Sequence, residues 1–177
     1  MILVNATSAH AGGARSVLLS LLDYLKISNI ESHTIFVFCP VSFDTEDYPD
    51  NIIFFNRSYR GFLSIIFNVF AVNFYAYYLN CSLILSLNNY NTPFNFYSKI
   101  TYFHNEKIFK FRGLRFRLLR LLLLLNKHSL YIVQSEHIRR SLRGFFKSDL
   151  EVLVLWPGVR QISNSKPSDK FEKFVAN

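Results

Sequence analysis

Residues 1–26 have the sequence MILVNATSAHAGGARSVLLSLLDYLK, and this stretch decides the fold. The apolar run Met1–Asn5 is too short for a secretory signal and lacks a basic flank, so it predicts a first β-strand. A turn of small residues follows and ends in Gly12 and Gly13. From Ala14 to Lys26 apolar residues recur every three or four positions, which predicts an amphipathic helix.

The alternation of strand and helix continues along the chain. Six further short runs of apolar, β-branched or aromatic residues are typical of buried strands. Because these runs are continuously apolar, they predict a parallel sheet with both faces covered. We therefore expect an α/β protein, with a Rossmann-like parallel sheet of about six to seven strands and helices on both faces. The later strands are predicted at 33–39, 51–55, 82–87, 99–103, 129–133 and 151–156, and the later helices at 60–80, 112–127 and 135–146.

The composition excludes several classes of protein. Half of the 177 residues are hydrophobic and 18% are charged, so the chain can bury a sizeable core and disorder is not expected. Two cysteines, Cys39 and Cys81, are too few for a disulfide-dense secreted scaffold, and neither has a neighbour at metal-ligand spacing. We expect both thiols to be buried in a reducing compartment rather than to serve a redox or metal role. The cytoplasm is the expected location.

Positive charge is concentrated in the second half of the chain. The net charge is +8, yet residues 1–100 carry five Lys/Arg and six Asp/Glu. Residues 101–177 carry fifteen and six, and the segment from Lys99 to Lys147 holds twelve basic residues against Glu106 and Glu136. Such a patch attracts phosphate-rich partners, which include nucleic acid, anionic lipid headgroups and diphosphates. Charge alone does not choose between them.

Two features at the predicted carboxyl edge of the sheet are candidates for chemistry. The Gly12-Gly13 turn opens a helix, whose free N–H groups attract anions, but it lacks the full G-x-G-x-x-G fingerprint of a dinucleotide site. It is either an anion site or a tight turn that needs positive φ. His104 directly follows a predicted strand and precedes Asn105 and Glu106, so it serves either hydrogen bonding and proton transfer in a cleft or a capping or surface role. No histidine pair has metal-ligand spacing, and we expect no metal.

Two predicted helices raise the question of a membrane. On a helical wheel of residues 112–127 the basic side chains cover an arc of about 200°, which suits either anionic lipid or solvent. Residues 62–79 carry no formal charge over eighteen positions, which is long enough to span a bilayer. Polar residues interrupt this segment and it lies between two strands, so a buried or interfacial crossover helix is favoured over a span. The candidate membrane-facing residues are Arg112, Arg115, Arg117 and Arg120.

Five motifs, taken in order along the chain, resemble a known family. The first is the MILVNAT strand with its glycine turn and helix, and the others are ILSLNNYNTPF, KITYFHNEKIF, YIVQSEHIRRSL and VLVLWPGV, which precedes a polar linker. Together they resemble the N-terminal domain of a GT-B glycosyltransferase of the large family 4 group, which builds bacterial cell-surface polysaccharides. The resemblance covers roughly residues 1–160.

The resemblance implies roles for several residues. In that family the glycine turn approaches the donor diphosphate, which falls on Gly12 and Gly13 here, with Arg15 beside them. The histidine after the YF strand lies near the transferred sugar, so His104 is the candidate catalytic residue. Such enzymes use a nucleotide-sugar as substrate and often need no metal, so no cofactor is expected. The other residues implied to bind substrate are Asn105, Ser135 and Glu136.

The chain is expected to supply half of such an enzyme. We predict a Rossmann-like domain over 1–159 and a linker over 160–177 toward a C-terminal donor-binding domain, in cis or on a partner subunit, because no Glu-x7-Glu donor motif can be assigned. The expected function is the acceptor-binding half of a retaining glycosyltransferase, which transfers a sugar from a nucleotide-sugar to a saccharide or lipid-linked acceptor. We expect the isolated chain to be inactive and to lie in the cytoplasm or on the inner face of the plasma membrane.

Two other functions compete with this interpretation. A nucleic-acid binding module fits the pI of about 9.6, but no RNP, zinc-finger or helix-turn-helix signature accompanies the basic residues, so no nucleic acid is expected. A membrane-surface protein without catalysis would use its basic helix alone, and binding to anionic vesicles distinguishes it from a soluble domain.

Overall fold

A computed structural model describes residues 1–27, 33–40, 48–147 and 150–155, which contain seven strands. All seven belong to one sheet, and every neighbouring pair is parallel. The predicted α/β class with a Rossmann-like parallel sheet is confirmed. The strands are β1 (Ile2–Asn5), β2 (Ile35–Cys39), β3 (Ile52–Asn56), β4 (Leu83–Ser86), β5 (Ser98–Phe103), β6 (Leu130–Val133) and β7 (Val152–Val154). Their order across the sheet is β3-β2-β1-β4-β5-β6-β7.

Helices connect the strands as the sequence predicts, with one addition. The single-turn helix over Lys107–Lys110 was not predicted, because four residues carry no periodic signal. Residues 61–78 form one continuous helix between β3 and β4, which we call the crossover helix. The helices are α1 (Gly12–Ile27), α2 (Gly61–Ile66), α3 (Val72–Tyr78), α4 (Lys107–Lys110), α5 (Leu114–Leu125) and α6 (Glu136–Phe146), and a π-helical turn (Phe67–Ala71) joins α2 to α3.

Helix α1 covers one face of the sheet, over the first strands of the chain. Its buried Leu18 and Leu22 pack in one core with Val4 of β1 and Val37 of β2. Removing each leucine from water contributes about 2 kcal/mol to the free energy of unfolding. This burial fixes α1 on the sheet and thereby fixes the glycine turn at its start.

The crossover helix, α5 and α6 cover the opposite face. This arrangement follows from right-handed connections, because the chain builds the sheet first to one side of β1 and then to the other. The crossover helix buries Phe67, Val72 and Ala76 with Leu3 and Phe38 of the sheet. The second half of this face buries side chains of α5, α6 and β5–β7, which include Leu119, Leu123, Leu142, Phe103, Tyr131 and Val133.

The crossover helix widens by one residue near its middle. The Val72 N–H donates to the Phe67 carbonyl, five residues back, rather than to the carbonyl four residues back. Along a regular α-helix, residues four apart drift by about 40° at each step. The wide turn cancels part of this drift, so the side chains that face the sheet stay aligned over the whole helix. These buried side chains are Ser64, Asn68, Val72 and Ala76.

Cys39 and Cys81 are both buried, as predicted. The predicted domain boundary at residue 159, the linker over 160–177 and the end of the VLVLWPGV motif lie outside the described residues.

Candidate functional site

A cavity of about 320 Å³ lies at the carboxyl edge of the sheet, beside the point where the strand order reverses. Ligands bind at this place in open parallel sheets, because the loops after neighbouring strands diverge there. The turns after β1, β4 and β5 supply most of the wall, and the starts of the crossover helix and α5 supply the rest. Its polar lining residues are Ser8, Ser64, Asn88, Asn89, Tyr90, His104, Asn105, Lys107 and Arg115.

A buried network of side chains joins β1 to β4 beneath the cavity. Asn88 Nδ2 donates to Asn5 Oδ1 at 3.0 Å and to Thr7 Oγ1 at 3.3 Å. Asn88 Oδ1 accepts from both the backbone N–H and the hydroxyl of Ser8. Asn5 Nδ2 donates to Asn68 Oδ1 of the crossover helix at 2.9 Å. Because unpaired buried amides are costly, this network fixes the two loops relative to one another.

Asn89 positions the loop that follows β5. Its φ of 66° lies in the left-handed region, which asparagine tolerates better than most residues with a Cβ. Its Oδ1 accepts hydrogen bonds from the backbone N–H groups of His104 at 2.8 Å and Asn105 at 2.9 Å. The loop after β4 therefore determines where the backbone of His104 lies.

The imidazole of His104 is partly buried in the cavity wall. Burial lowers its pKa below the ordinary 6.5, so the ring is neutral at pH 7. Its Nε2 lies 3.5 Å from Asn89 Nδ2, at the limit of a hydrogen bond, and its buried Nδ1 has no partner among the described residues. A neutral imidazole can donate to or accept from a ligand hydroxyl, but it offers no positive charge.

Lys107 and Arg115 supply the positive charge of the cavity. Both residues line the wall and both are exposed. The positive charge of Arg115 acts to lower the pKa of the nearby Tyr90 phenol, although the larger effect of burial raises it. A guanidinium and an ammonium on one wall favour an anionic group such as phosphate.

Glu106 links the loop after β5 to α6. Its carboxylate accepts from Lys110 Nζ at 2.9 Å and from Ser141 Oγ at 3.1 Å, and it lies 2.9 Å from His137 Nε2. The hydrogen bond from Lys110 is the main cause that holds the pKa of Glu106 below its ordinary value. The carboxylate is therefore ionised at neutral pH and engaged in structural contacts.

The first turn of α1 reaches the cavity that His104 lines. Ala14, which follows the two glycines, lines the wall, whereas Gly12, Gly13 and Arg15 do not. Gly12 has a φ of +63°, which accounts for a glycine at that position. A Cβ at Gly13 would meet no atom within 4 Å, so its backbone is open to approach. Binding of an anion there stays a prediction.

Ser135 and Glu136 do not line the cavity. Ser135 caps α6, because its hydroxyl accepts from the Ile138 N–H at 3.3 Å. The Glu136 carboxylate lies 2.6 Å from the guanidinium of Arg139, one helical turn later. Both side chains are engaged within the first turn of α6, and their role in substrate binding stays a prediction.

The four arginines predicted to face a membrane have different surroundings. Arg115 lines the cavity. Arg112 and Arg117 are exposed. Arg120 is partly buried, and its Nε donates to the Phe116 carbonyl at 3.2 Å. The basic arc of the wheel is thus divided between the cavity and the outer surface.

Sequence reasoning missed Ser8, Asn88 and Asn89 as functional candidates. They lie two or three residues after the ends of β1 and β4, at the edge of the sheet where ligands bind. The available signal was the asparagine pair at the end of a predicted strand, because asparagine accepts left-handed backbone and offers both donors and acceptors.

No protein-family model matches the chain, and no curated protein matches it either. Among the described residues, no three His, Cys, Asp or Glu side chains are grouped closely enough to hold a metal ion. In the same part of the chain, Gly61–Tyr78 is long and apolar enough to cross a membrane by length and composition, with a mean hydropathy of 1.3, and 33% of it is buried in the fold. A functional assignment therefore rests on the geometry of the cavity and on the surface around it.

Proposed function

We propose that the chain is the acceptor-binding half of a retaining glycosyltransferase, which transfers a sugar from a nucleotide-sugar to a saccharide or lipid-linked saccharide in surface polysaccharide synthesis. One observation carries the proposal. The turn after β1, the Asn88–Asn89 loop and the His104–Asn105 loop converge on one cavity at the topological switch point. Among the lining residues, the sequence resemblance assigns roles to His104 and Asn105.

The polar part of the wall suits the hydroxyl groups of a sugar. The amide groups of Asn89 and Asn105 can donate to such hydroxyls, since the hydrogen bonds that hold the loops engage their Oδ1 atoms. The neutral His104 adds a further group of the same kind. Ile108, Phe116 and Leu119 supply apolar surface against which the C–H faces of a sugar ring can pack.

The cationic part of the wall suits a phosphate. Glycosyl transfer develops positive charge on the sugar and negative charge on the leaving diphosphate, and fixed donors stabilise the latter. Lys107 and Arg115 would hold such an anion, or the phosphate that joins a saccharide to its lipid carrier. The open backbone at Gly13 lies at the start of α1, where helix N–H groups add to this field.

The proposal includes a second component. A donor-binding domain, in cis or on a partner subunit, would hold the nucleotide and close the cleft over the cavity. The 177-residue chain then binds the acceptor but transfers no sugar by itself. The nucleotide-sugar enters as a substrate, and no further cofactor is proposed.

Calorimetry on the 177-residue chain tests this function. A saccharide diphosphate with a short prenyl chain is expected to bind, and UDP- and GDP-sugars are expected to bind about tenfold more weakly or less. His104→Ala should weaken binding of the saccharide diphosphate about tenfold, because a hydrogen bond in the cavity is lost. The matched control is His128→Ala, which changes an exposed histidine beyond the far end of α5.

Two results would contradict the proposal. One is that no saccharide or saccharide diphosphate binds, or that His104→Ala binds as tightly as the unaltered chain. The other is sugar transfer from a nucleotide-sugar by the purified chain alone, which would contradict the proposed need for a donor-binding domain.

A further inference from the structure

The outward side of the crossover helix is apolar and aromatic. Phe70 is 67% exposed, Phe74 65% and Tyr77 80%, which is unusual for a helix that belongs to the core of a parallel sheet. Phe74 stacks on Tyr78 with ring centroids 6.2 Å apart, so the exposed rings also contact one another. The exposed large side chains of this helix are Phe62, Leu63, Ile66, Phe70, Phe74, Tyr77 and Tyr78.

The wide turn at Phe67–Ala71 keeps these side chains on one side. Most of them recur at intervals of four residues, which would wind around a regular α-helix. Because the π-helical turn offsets the drift, the stripe from Phe62 to Tyr78 stays opposite the buried stripe that contacts the sheet. The helix therefore has two lengthwise sides, one packed and one exposed.

Neighbouring elements extend the exposed surface. The loop before β5 contributes Phe94 and Phe96, which stack at 6.0 Å, and Phe96 is 80% exposed. The Tyr97 hydroxyl donates to the Asn73 carbonyl at 3.5 Å, which joins this loop to α3. On the other side α5 packs in one core with Ile65 of the crossover helix. Its outer side adds Leu114, Leu121, Leu124 and Leu125.

This surface carries positive charge and almost no negative charge. No Asp or Glu occurs between Asp50 and Glu106, and none occurs from there to Glu136. The carboxylate of Glu106 is engaged by Lys110, Ser141 and His137. Exposed arginines that do not line the cavity flank the apolar side chains at the starts of both helices, and they are Arg60, Arg112 and Arg117.

We propose that this surface, the outer side of the crossover helix together with Phe94, Phe96 and the outer side of α5, docks on an anionic lipid bilayer. We call it the docking face. Aromatic and aliphatic side chains would enter the headgroup boundary, while the arginines contact lipid phosphates. The inference does not depend on the proposed sugar transfer, because it rests on surface chemistry outside the cavity.

The packing favours attachment to the surface over a membrane span. Ser64, Asn68, Val72 and Ala76 are buried against the sheet, so the helix cannot enter the bilayer as a span without leaving the fold. Asn68 also accepts a hydrogen bond from Asn5 of β1 at 2.9 Å. Both helices would therefore lie in the plane of the interface, each with one side in lipid and the other on the sheet.

Charge favours lipid over a second copy of the chain. Two docking faces would bring like charges together, since the surface holds arginines and the chain has a net charge of +8. An anionic bilayer offers the opposite charge and an apolar layer directly behind it. Gly61 and Arg115 line the cavity at the starts of these same two helices, so docking would place the cavity opening beside the lipid headgroups.

Vesicle flotation with the 177-residue chain tests the proposal. The chain is expected to float with vesicles of phosphatidylcholine containing phosphatidylglycerol at low salt, and to float about tenfold less with phosphatidylcholine alone or at high salt. Serine at Phe70, Phe74 and Tyr78 together should reduce flotation about tenfold or more in every vesicle. Serine at Arg112 and Arg117 should reduce it only in anionic vesicles.

The matched control is Ile27→Ser, which removes an exposed apolar side chain, 74% accessible, from α1 on the opposite face of the sheet. It should float like the unaltered chain. The proposal is overturned if the unaltered chain stays unbound on anionic vesicles at low salt, or if the triple serine variant floats equally well. Light scattering supplies a further test. The proposal is also overturned if the unaltered chain is a dimer through the docking face, and the triple serine variant is monomeric but floats equally well.

A second readout does not depend on removing side chains. In a chain that carries Trp156→Phe, Tyr77→Trp introduces one tryptophan on the docking face, and Ile27→Trp places one on the far face as a control. Lipids brominated on the acyl chain should quench the fluorescence of the tryptophan at position 77 several-fold more than that of the tryptophan at position 27. Only the tryptophan at position 77 would enter the bilayer boundary. Equal quenching of the two tryptophans contradicts the proposed orientation.

Discussion

The side chain of Asn89 holds the backbone of His104, because Asn89 Oδ1 accepts the His104 N–H at 2.8 Å. A second hydrogen bond, from the Asn105 N–H at 2.9 Å, fixes the next peptide as well. One side chain therefore joins the loops after two neighbouring strands at the wall of the cavity. The backbone of Asn89 is left-handed, with a φ of 66°, while its amide makes these two contacts.

Removing this side chain should loosen the cavity. We expect Asn89→Gly to lower the free energy of unfolding by about 2 kcal/mol, because two hydrogen bonds are lost while the backbone stays relaxed. Asn89→Asp keeps the acceptor oxygen and should stay within about 1 kcal/mol of the unaltered chain. Urea unfolding measures both values. Equal destabilisation by the two substitutions would show that the acceptor is not what holds the loops.

The pKa of His104 gives a pH-dependent prediction. Burial lowers it in the folded chain, so on acidification below pH 6.5 the unfolded chain takes up a proton before the folded chain does. The contribution of His104 to stability is therefore lost as pH falls below 6.5 toward the folded pKa. We expect the chain to lose more stability between pH 6.5 and pH 5 than the His104→Gln variant does.

Titration of the imidazole signals by NMR checks the same point directly. The His104 signal should titrate below pH 6.5, and in Asn89→Asp the added carboxylate should move its pKa upward. A His104 pKa at or above 6.5 in the unaltered chain would contradict the burial described for this ring.

Lys99 lies near the start of β5, at the edge of the sheet opposite the cavity, and its side chain is buried. Its Nζ donates to Asn126 Oδ1 at 2.8 Å, to Asn95 Oδ1 at 2.7 Å and to the Thr92 carbonyl at 3.3 Å. Burial lowers its pKa from 10.5 to about 8. These hydrogen bonds tie the loop before β5 to the end of α5.

Because of Lys99, the free energy of unfolding should therefore rise as the pH is raised above 8. Between pH 8 and pH 10 the folded chain has released a proton that the unfolded chain still holds, so folding becomes more favourable. We expect a gain on the order of 1 kcal/mol relative to Lys99→Met, which is smaller than full linkage because solvent screens part of the charge. At pH 7 that variant should be about 2 kcal/mol less stable, because buried acceptors lose their donor.

Measurements for Lys99 should stay below about pH 10, where tyrosines begin to ionise in the unfolded chain. If the stability of the unaltered chain and of Lys99→Met changes in parallel from pH 8 to pH 10, Lys99 is not buried as described.

The two glycines of the first turn should respond differently to alanine. Gly12→Ala is expected to cost about 1 kcal/mol, because φ is +63° and a Cβ is disfavoured there. Gly13→Ala should stabilise the chain by up to about 0.5 kcal/mol, since it lies inside α1 with open space around it. Thermal unfolding of the two variants measures the difference. Equal effects would mean that the turn differs from the one described.

The strands and the four long helices could be predicted because their signals are local. Continuous apolar runs mark the strands, as in Ile35–Cys39, which ends before Pro40, and leucine spacing marks α1. The meeting of the loops after β1, β4 and β5 could also be expected, since parallel strands end at the same edge. These predictions need only the order of the elements and the direction of the strands.

The rest of the site depends on contacts between distant parts of the chain. The contact between Asn89 and His104 and the fit of Asn88 against Asn5 have no signature in either segment alone. A helical wheel could not predict that Arg115 lines the cavity, because the wheel gives angles about one axis and says nothing of the neighbouring elements.

The wide turn at Phe67–Ala71 is one place where the crossover helix can lose a residue by deletion and keep its packing. Five residues occupy a turn that a regular α-helix completes with about four, so deleting Phe70 would let the backbone close into ordinary α-helical geometry. Residues before and after the deletion would keep their orientation to the sheet. A deletion at Phe74 would instead rotate the remaining residues by about 100° and turn Ala76 away from the sheet. Homologues one residue shorter at this turn would thus retain both sides of the helix, whereas indels elsewhere in it would be selected against.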